Sequence, residues 1–514
     1  MRRRRTKEKI GLHPVMTLLI MCFVVILLSG ILSLFNVQST FNQISTKTGE
    51  YQATTEAVNS LLSLSGLKYI FTNTVANFAN FTVLSHLIIV LLGIGIMKQS
   101  GFLKTVITIL TKKSKKTTVT FMLVFVCMLS SIMGDLSYLI FIPIGALLFL
   151  YGKRNPMTGI IATFAALSCG SGLNIFLTSI DSSLITTTLL NVHKLQSTYT
   201  ISPFSFIFIM LVVIIILSLL ITNITCNITV KRMPKYEFDE DAVEDDLVIT
   251  KVKRRGLFLA FVAGLIYLLV FIYNIVPGLP FSGNLLDNSQ TLYIDKLFSY
   301  DSFFSNGFVF IVTVFFVILG LGYGIGAKTI KNNKEFIEAL GHSLNGIGKT
   351  LVMIFAAATF ISIFKYTNIG NVIAAIFTNI IGSSSFNGLP LLLLLFLSSI
   401  IVTIFLPSSI NKWPILSTTA VPALMNVGIS PEFAQVVFRF GESVSMGLTP
   451  VFAYFIVYLA YLEKYNQDSK PFRLNQAIKY QLPYAITSMF VFIAVIIIWY
   501  LIGLPLGVGA GVAL

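Results

Sequence analysis

Charged side chains are scarce in the long apolar stretches of this chain, and those that occur fall into two parallel groups. The first is Asp135, next to Gly134, followed by Asn174 and Asp181. The second is Asn411, Lys412 and Trp413, followed by Arg439 and Glu442, with Pro450 beyond them. A charge among apolar residues at membrane depth is costly and defaults to a functional role. Carboxylate, amide and backbone oxygens are the hard ligands a sodium ion takes, and a carboxylate alone can carry a proton. Asp135, Asn174, Asp181 and Glu442 are therefore the candidates for ion coupling. Lys412, Arg439 and exposed backbone N–H groups can hold an anion, and Trp413 offers a ring for stacking. The substrate-binding candidates are Asn174, Asp181, Asn411, Lys412, Trp413, Arg439, Glu442 and Pro450. Each also has a structural reading. Arg439 and Glu442, spaced i, i+3, can neutralise each other; Asp181 can be a hydrated boundary residue; Asp135 can cap a turn; Lys412 can snorkel to water. His86 reads as a packed span residue, and Trp499 as an interface anchor.

The elements that position these residues must be membrane helices. Of 514 residues, 55% are hydrophobic and 11% charged, with a mean hydropathy of +0.86. Soluble domains carry about 25% charged residues, so an ordinary soluble protein, a disordered chain and a coiled coil are excluded. About 283 apolar residues at roughly 20 per span cover on the order of ten passes. The net charge of +15 sits mostly between apolar runs, where it sets orientation; no nucleic-acid-binding module is present. Cys22, Cys127, Cys169 and Cys226 lie in or beside apolar runs without metal spacing and read as packing residues.

Basic residues Arg2 to Arg5, Lys7 and Lys9 predict a cytoplasmic N-terminus and a retained signal-anchor span over 14–36. Spans follow at 82–99, 203–230, 256–277, 304–327, 347–366 and 482–503, with 61–80 and 370–387 read as interfacial. Arms 117–133 and 136–152, separated only by Gly134 and Asp135, read as a re-entrant hairpin or equally as two full spans; in either case both ends are cytoplasmic. The run 157–190 would be about 51 Å as one helix, too long for about 30 Å of hydrocarbon, and Gly170 and Gly172 interrupt it. A second hairpin, 388–406 and 415–427 around a tip at 407–414, opens to the outside; its second arm of about 13 residues is too short to cross. The run 431–463 is again too long and breaks at 445–450. The order hairpin, broken helix, then hairpin, broken helix with opposite sidedness is the trace of an inverted-topology repeat, from which secondary transporters build a midplane site. The expected fold class is an all-α polytopic membrane protein with about nine transmembrane helices and two re-entrant hairpins. The chain divides into tail and spans 1–2 (1–116), first repeat core (117–230), a charged cytoplasmic linker (231–255), middle spans (256–366) and second repeat core (367–514). The acidic cluster Glu237–Asp246 reads as solvated linker rather than a metal site.

The residues quoted so far, with several neighbours, resemble the p-aminobenzoyl-glutamate transporter (AbgT) family over nearly the full length. The resemblance rests on His13 and Pro14, on Gly134, Asp135, Tyr138 and Pro143, and on Asn174 and Asp181. Its most specific part is Lys412, Trp413, Ile415 and Leu416, then Gly428 to Glu432, then Arg439, Gly441 and Ser443, then Thr449 and Pro450. The chain departs from the family pattern at Glu442, where Asp is common, and at Ile410, where a serine is usual. The resemblance implies nine transmembrane helices, two hairpins and a homodimer. It also implies ion-coupled transport of aminobenzoyl-glutamate-like compounds, or export of sulfonamide antimetabolites. The expected localisation is the cell membrane, multi-pass, with the C-terminus outside; the partners are a small-molecule substrate and the lipid bilayer. No cofactor is expected beyond Na+ or H+ as coupling ion. The alternatives are a sodium/dicarboxylate-type carrier and a membrane-embedded enzyme; for the latter neither HExxH nor GxSxG occurs, and no Walker A motif supports a primary pump.

Overall fold

The computed structural model describes residues 11–44, 50–175, 177–238 and 249–514. The basic N-terminal cluster and most of the acidic cluster of the linker lie outside the described residues. Helix α1 (Pro14–Leu34) starts with Pro14 at its first turn and the His13 ring accepting from the Val15 N–H at 3.3 Å. A two-stranded antiparallel hairpin follows, β1 (Gln38–Ile44) paired with β2 (Tyr51–Ala57), Gln38 opposite Ala57. The 61–80 region becomes α2 (Leu64–Ala79), capped by Ser63 and held on a later helix by Tyr69 stacked on Tyr366 at 4.2 Å. Then come α3 (Thr82–Gln99) and α4 (Phe102–Lys113).

The first hairpin is α5 (Lys116–Leu129), a 3-10 turn (Ser130–Met133) and α6 (Leu136–Tyr151). Its tip turns at Gly134, whose φ of +54° is a conformation side chains disfavour. The first broken helix is α7 (Pro156–Cys169) and α8 (Ser179–Val192). Helix α9 (Ile207–Ile224) runs through a π-helical stretch (Thr225–Thr229) into a last turn, α10 (Val230–Arg232). Beyond the linker lie α11 (Lys251–Ile275), the short α12 (Tyr293–Phe298), α13 (Phe303–Gly326), α14 (Asn333–Ser343) and α15 (Ile347–Tyr366). Helix α13 packs between α11 and α3, touching both, and α15 packs on α1.

Helix α16 (Ile369–Ser383) buries Ile369, Val372, Ala375 and Thr378 along one face, against the β-hairpin and the next two helices. Those are α17 (Leu389–Phe405) and α18 (Ser409–Met425), the second hairpin. Here the structure corrects the sequence reading. The turn is only Leu406 to Ser408, and the second arm is 17 residues, not about 13. Pro414 signals a helix stop, but it removes only one hydrogen bond near the first turn, and the fully buried Trp413 and Leu416 on either side hold the helix. Length alone therefore does not mark α18 as too short to cross. The second broken helix is α19 (Pro431–Ser445), a 3-10 turn (Met446–Leu448) and α20 (Phe455–Lys464); α21 (Leu474–Ile502) completes the set. The C-terminal strand of chain ties back to α9 and α19, the Ser430 hydroxyl donating to the Gly511 carbonyl at 2.6 Å.

The protein is thus a predominantly helical membrane fold with paired hairpins and broken helices, the small β1–β2 hairpin being the one departure from the all-α expectation among the described residues. Among the described residues, eight helical segments are long and apolar enough to cross a bilayer. Trp499, read as an interface anchor, is instead buried, its indole N–H donating to the Pro505 carbonyl at 3.3 Å.

Candidate functional site

The two helix breaks meet. Between α7 and α8 the backbone at Gly172 passes so close to α19 that an added Cβ would lie 2.5 Å from the Arg439 carbonyl oxygen. Only glycine allows this approach, and it lets the Gly172 N–H donate to the Ser443 hydroxyl at 2.9 Å. Each break is also braced by its own repeat's hairpin. The Ser131 hydroxyl donates to the Leu173 carbonyl at 3.0 Å, and the Ser445 and Thr449 hydroxyls donate to carbonyls of Ile400 and Ile404 on α17 at 2.8 and 2.6 Å. The Leu173 carbonyl and the Gly172 N–H, both freed by the first break, are in this way satisfied by protein, as membrane depth demands.

Across this junction runs a chain of four buried charges. Lys412 Nζ lies 3.0 Å from Glu442 Oε2, both side chains fully buried. Glu442 Oε1 is paired with Arg439 Nη1. Arg439 Nη2 lies 3.7 Å from Asp181 Oδ1 and donates to the Ser171 carbonyl at 2.8 Å. The Ser409 hydroxyl, 2.8 and 3.0 Å from the two Glu442 oxygens, accepts from Arg439 at 3.1 Å. Lys412 also donates to Thr403 at 2.8 Å. Asp181 Oδ2 accepts from Asn174 at 2.6 Å and from the Thr178 hydroxyl and N–H at 2.7 and 3.1 Å, closing a capping box on α8. Two cations and two carboxylates cancel, which is how charges persist away from water. The first repeat supplies Asp181 and Asn174, the second Lys412, Arg439 and Glu442, so the network bolts the repeats together.

Beside the network lies a cavity of about 440 Å³, within the size range of small-molecule sites. Both hairpin tips enter its wall: Gly134 and Asp135 from the first, Pro407 to Asn411 from the second. Asn174, Arg439 and Glu442 line it too, as do Lys365 at the end of α15 and Tyr138, Phe452 and Tyr454. A second cavity of about 10 Å³, room for one water, shares Asn174 and Arg439 as its wall and adds Asp181 and Gln435.

The structure thus brings Asp135, Asn174, Asn411, Arg439 and Glu442 to one cavity and places Asp181 and Lys412 just behind it. It differs from the sequence reading at several points. Trp413 is no stacking platform: its side chain is fully buried, 4.4 Å from the Phe438 ring, and its N–H donates to Thr188 at 2.9 Å. Thr188 in turn meets Gln435 at 2.8 Å, so Trp413 fastens α18 to α8. Pro450 sits in the second break without lining the cavity. Lys412 does not snorkel, Asp181 is buried rather than hydrated, and Asp135 stands at the N-cap of α6 without capping it. Sequence reasoning missed Ser409, Thr403, Lys365, Tyr138, Phe452 and Tyr454 as parts of the site. Tyr138 alone carried a signal, one turn after Asp135; a lone Lys at a span end or aromatics in an apolar run carry none. Next to Ile410, Ser409 donates its hydroxyl to Glu442. The Glu442 carboxylate meets Lys412, Ser409 and Arg439 together.

Comparison with known proteins agrees with this architecture. The profile of the AbgT putative transporter family matches residues 5–514. The p-aminobenzoyl-glutamate transport protein of Escherichia coli is 28% identical over 97% of this chain and 94% of its own. Among solved structures, Neisseria gonorrhoeae MtrF, described as illuminating a class of antimetabolite efflux pumps, is 29% identical with a TM-score of 0.50, covering 98% of each chain. The Alcanivorax borkumensis YdaH transporter, described as having an unusual topology, is 26% identical with a TM-score of 0.49, covering 96% of this chain and 100% of its own. The Escherichia coli relative is named as a transport protein and MtrF as one of a class of efflux pumps, and with the family profile matching residues 5–514 the protein belongs to the AbgT family of multi-pass membrane transporters.

Proposed function

We propose that the protein is an ion-coupled secondary transporter of p-aminobenzoyl-glutamate-like or related aromatic, anionic small molecules, sulfonamide-type antimetabolites among them. The observation that carries this reading is the placing of one cavity at the meeting point of both hairpin tips and both helix breaks. A substrate there touches both repeats, so its binding acts on their relative position, the requirement for alternating access. The four-charge chain is neutral, which leaves Asp135 and Lys365 as cavity charges without a hydrogen bond or ion pair among the described residues. Lys365 suits the acidic end of such a substrate. The oxygens of Asp135, Asn174, Asp181 and Glu442 are the groups available to a coupling ion, Na+ or H+. The names of the Escherichia coli and Neisseria gonorrhoeae relatives support the substrate class.

The same reading takes the protein as a homodimer in the cell membrane, with a cytoplasmic N-terminus set by its basic residues and the C-terminus outside. The test is uptake of labelled p-aminobenzoyl-glutamate into proteoliposomes under separately imposed Na+ and H+ gradients. One of the two gradients should drive accumulation above the equilibrium level. Equilibration at the same rate with and without either gradient would refute ion coupling.

A further inference from the structure

Two features of the main cavity are left over once the ion network is accounted for. The first is a closed triangle of aromatic rings. Tyr138 lies 5.1 Å from Phe452 in an edge-on arrangement and 5.5 Å from Tyr454 in a stacked one, and Phe452 lies 5.5 Å from Tyr454. All three line the cavity, Tyr138 from α6 of the first repeat and the other two from the second break. The Tyr138 hydroxyl, on a residue only 3% exposed, has no hydrogen-bond partner among the described residues. The nearby Ser168 hydroxyl is committed to the Phe164 carbonyl at 2.7 Å.

The second feature is Asp135. It stands three residues before Tyr138, on the same face of the opening turn of α6. It is exposed to the cavity and makes no hydrogen bond or ion pair with the described residues. Neither neighbouring cation forms an ion pair with it: Lys412 pairs with Glu442, and Arg439 with Glu442 and Asp181. A carboxylate needs a donor, and the adjoining rings offer an apolar surface with polarised faces and edges. An aromatic amine supplies both: N–H donors for the carboxylate and a ring for the triangle.

We propose that Asp135 and the Tyr138–Phe452–Tyr454 triangle form the subsite that reads the amino-bearing end of the substrate. Asp135 accepts the arylamine N–H, the triangle takes the edge of the aryl ring, and the acidic end points towards Lys365. The coupling ion is then left to Asn174, Asp181 and Glu442. This inference rests on the transport reading above, and deepens it by assigning the recognition of the amine-bearing end of such a substrate to named residues of the cavity.

The test compares p-aminobenzoyl-glutamate with benzoyl-glutamate, which lacks only the amino group. Counterflow in proteoliposomes without any ion gradient separates recognition from coupling. The native protein should prefer the amino ligand, and Asp135→Asn should reduce the ratio of the two affinities about tenfold, the scale of one hydrogen bond to a charged group. A general structural defect would weaken both ligands equally and leave the ratio standing, which would overturn the assignment. So would a variant that loses only gradient-driven accumulation, since Asp135 would then serve the ion. If Asp135→Asn does not accumulate as folded protein, Phe452→Leu decides: both aromatic ligands should weaken several-fold relative to N-acetyl-glutamate, and an unchanged order refutes the triangle. Absence of counterflow of either aromatic ligand by the native protein would instead remove the transport reading itself.

Discussion

Replacing Lys412 by Met tests whether the four-charge chain is what joins the two repeats. At the observed 3.0 Å from Glu442, the direct attraction is about 5–6 kcal/mol for an effective dielectric constant near 20. Much of that offsets the cost of taking both charges out of water, so the pair adds little over an apolar one of equal volume. Removing one partner is different. It strands an excess negative charge between Glu442 and Asp181 that Arg439 alone must balance, at a cost of about 3–5 kcal/mol. We expect Lys412→Met to lower the thermal unfolding midpoint in detergent by roughly 5–10 °C, and Glu442→Gln to do the same by stranding the cations. The double variant Lys412→Met with Glu442→Gln returns the site to neutrality, with Arg439 still facing Asp181, and should recover most of the loss. Midpoints of the four proteins form a double-mutant cycle. If the losses of the two single variants simply add in the double one, the residues do not act as a pair and the argument fails.

Trp413→Ala should lower the thermal midpoint markedly, because emptying a fully buried indole site costs about 3–5 kcal/mol. It should not change the ratio of affinities for aromatic and aliphatic acyl-glutamates, measured by counterflow; a selective loss of aromatic ligands would restore Trp413 to the binding site. Outside the membrane helices, the Asp287 carboxyl is held down at about 2, chiefly by the Ser289 hydroxyl, then by the Ser299 hydroxyl and the Ser289 N–H. A depressed carboxyl contributes stability that is present above its ordinary value and lost as pH falls through the folded one. Limited proteolysis of the 278–303 loop by pepsin should therefore stay slow from pH 5 to pH 3 and accelerate only as pH approaches 2. Acceleration near pH 4 would show that these hydrogen bonds do not hold the loop.

The membrane fold was legible in the sequence because its physical basis is one-dimensional. A span needs an unbroken apolar stretch of fixed length, so 347–366 could be read residue for residue as α15. Both breaks were visible for the same reason: 34 and 33 residues overrun the bilayer, and glycine, serine and proline mark where the helix gives way. The parallel order of hairpins and broken helices is also a property of the string. The start of α18 was not legible, because Pro414 is a strong local stop and the burial of Trp413 and Leu416 that overrides it is a tertiary fact.

The site divides along the same line. Asp135, Asn174, Asp181, Lys412, Arg439 and Glu442 stood out because a charge or amide costs free energy in an apolar run wherever it ends up. The cost says that a partner must exist but not which one. Only the folded chain assigned Lys412 to Glu442, across from α18 to α19, and Asp181 to Arg439, across the repeats. Trp413 shows the limit most plainly. An apolar ring carries no signal of which way it points, and packing turned it into the core while bringing Tyr138, Phe452 and Tyr454 to the cavity. Sequence determined which residues had to be answered; the three-dimensional meeting of the two breaks decided what answers them, since the contacts across the repeats, Asp181 with Arg439 and Gly172 with Ser443, join residues more than 200 positions apart.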